Sequence, residues 1–539
     1  MTSSAASPPR ATLPPILGRM LHGTFWLAVK TPLQIVVSFW SVPLVQASIG
    51  RQANGAYVFA WGFGFVQLLL EFGMNSALQR EMTAAWTRQD RERVNRLIAC
   101  GMSFYLAVAL AQMAVLIAIA YWGLPPKFQG ELRRLIVGML WIQALSAPLF
   151  GLITVTSSVL QAARHYEYLP RLDLLVLLLR FAILVAGLRL GVDFVRIVAL
   201  QTVVHVVVTL LPTLRVMVGE LGFIPHFRGA RGADFGVLLR VGFYMFLMQL
   251  SVVFADRLDT TILGYALPDA DPGPSITIYQ NISKPFLQIR QLGWTLAYLV
   301  LPAVASLEAA GDRQGLERMK YDAPRLMIGL LFPLTLLAGI YAAPFLELWV
   351  GARYVPYAPW LQLFLIGTLP LALSVHSQMA LGLGKMRVVA ISPLLGSLVN
   401  LPLSYYLTLR LGVVGVIWGT VLTTLISNLL IPGIYLFKVL DIRVSTYIQR
   451  TLAPPLMGAT VLVATAWLGS QVIPTPSSSS TKLVRLLLLL SNLGLGVVAY
   501  AGGYLATSVG RQDVAALLLR KRASRQKPRN ENSPPPTEV

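Results

Sequence analysis

The sequence has very little of what most enzyme sites need. It contains a single cysteine, Cys100, among 539 residues. One cysteine excludes an intramolecular disulfide framework and any metal site built from several cysteines. The sequence also lacks the HExxH, P-loop and GxSxG motifs and has no cluster of histidines. These absences predict that the chain is not an enzyme and needs no cofactor.

Charge is also scarce. Only 12% of the residues are charged and 55% are hydrophobic, whereas roughly a quarter of the residues of a soluble protein are charged. The apolar residues form runs such as Gly101–Ala120, Leu326–Pro344 and Leu486–Ala506. Runs of about 20 residues are long enough to cross the hydrocarbon core of a bilayer as helices. The composition therefore predicts an all-α, polytopic membrane helix bundle.

The apolar runs predict about 14 transmembrane helices, with short loops between them. No loop is long enough to hold a soluble catalytic domain, so any function must lie within the bundle. The predicted spans are 24–46, 56–78, 98–122, 135–159, 172–190, 193–216, 237–266, 274–303, 325–347, 356–383, 388–409, 412–437, 451–473 and 484–508.

The basic residues are distributed unevenly among the loops. With a cytoplasmic N-terminus, about 28 of the 44 Lys and Arg residues lie on the cytoplasmic side. The basic segments are Arg80–Arg96, Arg313–Arg325 and the tail after Arg520, and we interpret them as topology signals that contact anionic lipids. We expect a bacterial inner (plasma) membrane protein with both termini in the cytoplasm and no nucleic-acid partner.

An internal repeat recurs at a spacing of 222 residues. Four residues of the first copy match four of the second in order: Tyr57, Asp90, Arg91 and Arg96 against Tyr279, Asp312, Arg313 and Arg318. Repeats in transporters place the substrate site at the interface between the two halves. We therefore predict an N-lobe of helices 1–6 at residues 1–220 and a C-lobe of helices 7–12 at residues 221–440. Helices 13–14 follow at 441–510, and then a basic, disordered tail at 511–539.

Polar residues form stripes along four of the predicted spans. The stripes are Lys30, Gln34, Ser38 and Ser41; Gln67, Glu71 and Asn75; Gln249, Asp256 and Asp259 beside Arg257; and Gln280, Lys284, Gln288 and Gln291. Spacings of three, four and seven place each set on one helical face, and such a face is unstable against lipid. The stripes predict a wet central cavity. We interpret His205 and His376, in apolar spans, as structural.

Each intramembrane charge has an alternative interpretation. Glu71 and Asp256 could be buried partners of Lys30 or Arg257 that serve only packing specificity. Lys284 is the best functional candidate because a glutamine-rich face surrounds it.

Several short motifs resemble those of a known transporter family. They are Gly50–Tyr57, Glu71–Arg80, Leu348–Tyr354, Ala380–Lys385 and Leu411–Gly415. In this order and spacing they resemble the polysaccharide flippases of the multidrug/oligosaccharidyl-lipid/polysaccharide exporter superfamily. The resemblance covers roughly residues 20–440.

The resemblance implies a two-lobed bundle that moves undecaprenyl-diphosphate-linked oligosaccharide across the membrane by alternating access. It implies a cationic cavity, for which Lys30, Arg257, Lys284 and Arg290 are the cations. Because nothing in the sequence suggests ATP use, we expect coupling to an ion gradient (H⁺ or Na⁺) or to the membrane potential, with Glu71 or Asp256 as the carrier. Because span 2 offers Glu71 where a cation is expected, an O-antigen or exopolysaccharide unit is favoured over a peptidoglycan precursor. The expected partners are this substrate, membrane lipids, and a polysaccharide polymerase with its chain-length proteins. The complete predicted site is Lys30, Gln34, Gln67, Glu71, Asn75, Asp256, Arg257, Asp259, Lys284, Gln288, Arg290 and Gln291.

Two other functions remain open on the sequence. A cation-coupled drug exporter of the same superfamily would favour acidic over basic cavity residues. A membrane glycosyltransferase or polysaccharide polymerase would need a large outer loop with acidic or arginine motifs, and the sequence shows none.

Overall fold

The computed structural model describes residues 15–165, 167–256, 258–268, 272–298, 300–383, 385, 387–472, 481–513 and 515. Within these ranges the chain forms helices joined by short loops, with no β-strand. The predicted all-α class is confirmed. Most of the predicted tail and the two loop positions Gly384 and Met386 lie outside the described residues.

Twenty-one α-helices follow one another along the described chain. They are α1 (Pro15–Gly62), α2 (Phe65–Leu70), α3 (Met74–Thr87), α4 (Arg91–Ala118), α5 (Gly130–Ala162), α6 (Tyr168–Arg189), α7 (Phe194–Arg215), α8 (Gly232–Asp256), α9 (Asp259–Ala266), α10 (Gly273–Tyr298), α11 (Val300–Ala309), α12 (Arg313–Ile340), α13 (Ala342–Val350), α14 (Ala358–Ile366), α15 (Leu371–Gly382), α16 (Arg387–Leu411), α17 (Val413–Thr424), α18 (Ile431–Val439), α19 (Val444–Tyr447), α20 (Ala453–Val472) and α21 (Lys482–Ala506). Short π-helical turns at Ile119–Gly123, Val216–Glu220, Leu425–Leu430 and Ile448–Leu452, and a 3₁₀ turn at Ala352–Tyr357, extend or join them.

All 14 predicted spans fall on these helices, in order along the chain. Nine helical stretches among the described residues are long and apolar enough to cross a membrane. The protein is therefore a multi-pass membrane protein, and the count of 14 crossings stays a prediction.

The second predicted span is interrupted where its backbone must turn. Within this span α3 begins after Gly73, whose φ is +68°; the earlier break of α1, at Gly50 with φ +80°, lies in the predicted loop between the first two spans. A positive φ is strained for residues with a Cβ atom and unstrained for glycine. At Gly73 a side chain would also overlap the carbonyl oxygen of Gly242 in α8. The glycine therefore permits both the turn and the close approach of α8.

The two copies of the internal repeat share one local structure. Asp90 accepts a hydrogen bond from the backbone N–H of Arg93 at 2.9 Å and caps α4, and Asp312 accepts one from Gly315 at 2.8 Å and caps α12. In each copy the residue before the aspartate has a positive φ, +59° at Gln89 and +68° at Gly311. An N-terminal aspartate cap stabilises a helix by about 1 kcal/mol. The repeated aspartate is therefore a helix cap and not a ligand.

Packing divides the described chain into two compact units. One contains the residues up to Ser283 together with Pro393–Thr424, and the other contains Lys284–Ser392 and the residues after Leu425. Buried side chains of α3, α4 and α5 form an apolar cluster in the first unit. Side chains of α11, α12, α15 and α18 form one in the second. The lobe boundary near residue 220 stays a prediction.

In the second unit, a buried ion pair connects α12 to the C-terminal end of the described chain. Arg325 of α12 donates to both carboxylate oxygens of Asp513, at 2.9 and 2.5 Å, and to the backbone oxygen of Arg450 at 3.1 Å. Tyr504 donates to the same carboxylate at 2.7 Å. The chain is thus anchored at least to Asp513. Arg325 is 5% exposed, so it does not contact lipid headgroups as its place in a basic segment suggests.

Candidate functional site

The polar faces of α1 and α10 contact each other directly in the first unit. The Gln46 amide donates to the Asn281 side-chain oxygen at 2.7 Å. The Asn54 amide donates to the Thr277 hydroxyl at 3.0 Å and to the Gln280 side-chain oxygen at 2.8 Å. Asn54, Thr277 and Asn281 are fully buried. Gln280, which the sequence assigns to a cavity-facing stripe, therefore joins two helices.

Lys30 forms an ion pair that the sequence analysis does not predict. Its Nζ lies 2.6 Å from a carboxylate oxygen of Asp173, in α6. Both side chains are partly exposed, at 23% and 42%. The positive charge of Lys30 is thus matched by Asp173, and neither Glu71 nor Asp256 is needed as its partner.

The second stripe is held by contacts within its own span. The Gln67 amide donates to Glu71 at 2.9 Å, and the Gln79 amide donates to the Asn75 oxygen at 2.8 Å. Glu71 is buried, with 6% of its surface exposed. Gln34, on the first stripe, is exposed. A role for these residues in substrate binding stays a prediction.

The Asp259 carboxylate lies at the centre of a buried hydroxyl cluster. Tyr279 of α10 donates to its Oδ2, and Thr420 of α17 donates to the same oxygen at 3.2 Å. Asp259 is 3% exposed, so it does not snorkel to the membrane surface. These hydrogen bonds connect α9, α10 and α17. Tyr279, one of the residues of the internal repeat, is a donor in this cluster.

The four predicted site residues of the second unit lie along the latter part of α10. Lys284 and Gln288 are half-buried, and Gln291 is exposed. The Arg290 guanidinium lies 5.3 Å from the centre of the Phe286 ring, at cation–π distance.

Three residues of the predicted site and its stripes cannot be placed in full. Asp256 ends α8 and Gln249 lies within it, but their side chains lie outside what the structure describes, and so does all of Arg257.

The first unit contains a polar cavity of about 240 Å³ between α2, α4, α5, α6 and α7. Its polar wall consists of Gln67, Gln112, Gln143, Ser146, Arg180 and Thr202. The rings of Trp61, Phe150 and His205 complete the lining, with Phe150 and His205 meeting edge to face at 5.1 Å. Of the predicted site residues whose side chains the structure describes, only Gln67 lines this cavity.

Arg180 is the cation of the cavity. It lies near the middle of α6, and no ion pair of its guanidinium is found among the described residues. A charged side chain at the centre of a bilayer costs at least about 2.5–3.5 kcal/mol and marks a functional site by default. The Glu71 carboxylate lies beside the cavity wall, where it accepts a hydrogen bond from Gln67 at 2.9 Å. Arg180 therefore makes the cavity suited to an anionic or strongly polar ligand.

The sequence carried a signal for Arg180 that the stripe analysis missed. Arg180 is flanked on both sides by apolar residues within the span 172–190. A polar stripe needs several polar residues on one helix, whereas the polar wall of this cavity takes one or two residues from each of five helices. A lone mid-span arginine was the available signal.

A family model decides the classification. Residues 50–359, more than half of the chain, match the model described as a polysaccharide biosynthesis protein. The chain belongs to this family.

The chain is also similar to individual proteins in sequence and in fold. It is 23% identical over 450 residues to an uncharacterized membrane protein, EpsK, of Bacillus subtilis (strain 168), covering 78% of this chain and 84% of the relative. Its structure is similar to that of the lipid II flippase MurJ in an inward closed conformation. The TM-score is 0.66 and the identity 13%, covering 89% of this chain and 98% of the MurJ chain.

A multidrug resistance MATE family transporter of the MOP superfamily, in an inward-facing conformation, is also similar. The TM-score is 0.56 and the identity 14%, covering 76% of this chain and 94% of the transporter. The chain thus belongs to the polysaccharide biosynthesis family and has a fold similar to that of these two membrane proteins. The resemblance drawn from the motifs is confirmed at this level.

Proposed function

We propose that the protein is a flippase for undecaprenyl-diphosphate-linked oligosaccharide, an O-antigen or exopolysaccharide repeat unit. It works by alternating access in the bacterial inner membrane, with both termini in the cytoplasm. The observation that carries this proposal is the polar cavity around Arg180, enclosed by membrane helices in a member of the polysaccharide biosynthesis family.

The chemistry of the cargo explains why such a site is needed. A diphosphate and its sugars cannot enter hydrocarbon without losing their hydration, whereas the polyprenyl tail is soluble there. A fixed cation such as Lys284 lowers the barrier for the charged group, and carboxamides donate to and accept from sugar hydroxyls. The protein therefore has to shield only the head of the substrate, while the tail stays in the lipid.

The driving force is proposed to be an ion gradient and not a bound cofactor. Glu71 is buried and accepts a single described hydrogen bond, from Gln67. A carboxylate in such a place can gain and lose a proton or a cation as the cavity opens to either side. Glu71 or Asp256 is proposed as the carrier of H⁺ or Na⁺.

Removing the charge of Lys284 tests the proposed function in cells. In a host that makes its surface glycan with this protein, Lys284→Ala is expected to lower surface glycan at least about tenfold, the loss that one charged contact brings. Lipid-linked oligosaccharide should accumulate in the inner leaflet, as in a strain lacking the gene. Lys284→Arg should retain part of the export because the charge is kept.

The amount of folded protein in the membrane separates transport from stability. Lys284→Ala is expected to leave the amount of folded protein near that of the wild type. Lys482→Ala, which removes an exposed lysine at the start of α21, serves as the matched control. Unchanged surface glycan in the gene-deleted strain, with a gain in drug sensitivity instead, would contradict the flippase and favour a drug exporter.

A further inference from the structure

The cavity around Arg180 carries an inference about the sugar that the protein handles. Arg180 supplies one positive charge to it. Asp173 lies seven residues earlier on the same helix, but its carboxylate is 2.6 Å from Lys30. Asp173 is thus already paired with Lys30, and the charge of Arg180 is available for a ligand.

The rest of the polar wall is arranged for hydroxyl groups. Gln112 is 4% exposed and lines the cavity, yet no hydrogen-bond partner for its carboxamide is found among the described residues. Gln143 donates its amide to the backbone oxygens of Ala60, at 3.0 Å, and Met139, at 3.4 Å. This fixes the side chain and leaves its oxygen as an acceptor. A carboxamide can both donate to and accept from a sugar hydroxyl.

The aromatic side chains fit the apolar faces of a sugar ring. Trp61 and Phe150 belong to α1 and α5 and both line the cavity. An aromatic ring packs well against the C–H groups of a pyranose while the hydroxyls at its edge reach polar partners. A diphosphate has no such face.

The volume of the cavity, about 240 Å³, offers room for a single sugar ring. This volume is below the about 300–1,000 Å³ of sites that take drug-sized molecules. One guanidinium also matches one carboxylate in a planar, bidentate contact, whereas a diphosphate carries more negative charge than one cation can balance.

We infer that this cavity is a subsite for one acidic monosaccharide, a uronic-acid type of residue, whose carboxylate is bound by Arg180. The hydroxyls of the ring bond to Gln112 and Gln143, and Trp61 covers one face. The inference rests on the proposed function only for the place of this residue in a lipid-linked glycan. It assigns to the cargo a negative charge on the sugar in addition to the diphosphate.

Binding of two matched probes to the purified full-length protein in lipid nanodiscs tests the inference. The probes are trigalacturonate and its fully methyl-esterified, neutral counterpart, and titration calorimetry measures both. Wild-type protein is expected to prefer trigalacturonate. Arg180→Gln should weaken the charged probe at least about tenfold and leave the neutral probe unchanged, because only the carboxylate contact is lost. Arg180→Lys should be intermediate.

Two further variants separate sugar recognition from charge and from folding. Gln112→Leu should weaken both probes, because it removes a hydroxyl partner and no charge. Arg189→Gln, an exposed position at the end of α6, should change neither. Equal wild-type affinity for the two probes, no binding of either, or unaltered binding by Arg180→Gln would overturn the subsite. Displacement of trigalacturonate by inorganic diphosphate at lower concentration would also overturn it and assign Arg180 to the phosphates.

The outcome is independent of translocation. Arg180-dependent binding in a protein that moves no lipid-linked sugar would retain the subsite and remove the flippase. Translocation without Arg180-dependent binding would retain the flippase and remove the subsite.

Discussion

Gly55→Ala is expected to remove nearly all folded protein from the membrane. A Cβ atom at this position would overlap the carbonyl oxygen of Gly273, at the start of α10. The obstacle is backbone on both sides, so no side-chain rotation can relieve it. Moving α1 away from α10 would also break the Asn54 hydrogen bonds to Thr277 and Gln280.

The loss of folding stability in Gly55→Ala has two sources: overpacking of the helix contact and buried polar groups that lose their hydrogen-bond partners. Overpacking a helix contact costs about 1–3 kcal/mol, and each buried polar group left without its partner adds about 1–3 kcal/mol. Together these are comparable to the whole stability of many proteins. Fluorescence-detected size exclusion of detergent extracts should show loss of the monodisperse peak.

Gly494→Ala is the matched control for this substitution. Gly494 lies inside α21 with nothing within 4 Å of the position of an added Cβ atom. Alanine is the better helix former, so this variant should be as stable as wild type or slightly more so. Normal yield and melting temperature of Gly55→Ala would contradict the close packing of α1 against α10.

Asp513→Ala is expected to destabilise the second unit by about 3–5 kcal/mol, because it leaves the charge of a buried arginine without its main partner. Arg325 is 6% exposed and Asp513 12% exposed at their side chains. The pair is therefore poorly screened by solvent. A drop of the thermal unfolding midpoint by several degrees, measured on the purified protein, checks this.

Asp322 provides a control on the same arginine. It lies 3.0 Å from Arg325, but its side chain is 50% exposed. Asp322→Ala should cost no more than about 1 kcal/mol, the usual limit for an exposed ion pair. The double variant Arg325→Met/Asp513→Leu should recover most of the lost stability, since an apolar pair replaces a buried ionic one at little cost. Equal melting temperatures of Asp513→Ala and Asp322→Ala would show that burial does not set the strength of this pair.

Helix positions could be predicted from the sequence because the membrane leaves so few alternatives. Backbone polar groups in hydrocarbon must be satisfied within the segment, so a long apolar run has to be a helix. The interruption of the second span was not predicted. It coincides with the close approach of Gly73 to Gly242, a contact between residues far apart in the sequence.

The stripes predicted which helix faces are polar but not what those faces contact. Gln280 and Asn54 bond to each other, and Lys30 bonds to Asp173, so these polar groups meet other helices. A polar stripe avoids lipid equally well by facing water or by facing another polar stripe. Periodicity alone cannot distinguish the two, because it contains no information about the partner helix.

The internal repeat was predicted from four matching residues, and their roles differ. Asp90 and Asp312 cap equivalent helices, so the same aspartate is needed in both copies to start a helix. Tyr279 donates to Asp259, whereas the equivalent Tyr57 packs edge to face on Phe194 at 5.1 Å. The two halves have thus kept the scaffold while the buried contacts diverged.

Translocation of a lipid-linked sugar by the purified protein tests the central claim most directly. The protein is reconstituted into vesicles that carry a fluorescent undecaprenyl-diphosphate-linked oligosaccharide in both leaflets, and a membrane-impermeant reductant is added outside. The account predicts that the fluorophores of the inner leaflet become accessible in vesicles with wild-type protein and remain protected in protein-free vesicles and in those with Lys284→Ala. Protection in wild-type vesicles equal to that in protein-free vesicles, with an ion gradient applied in either direction, would contradict it.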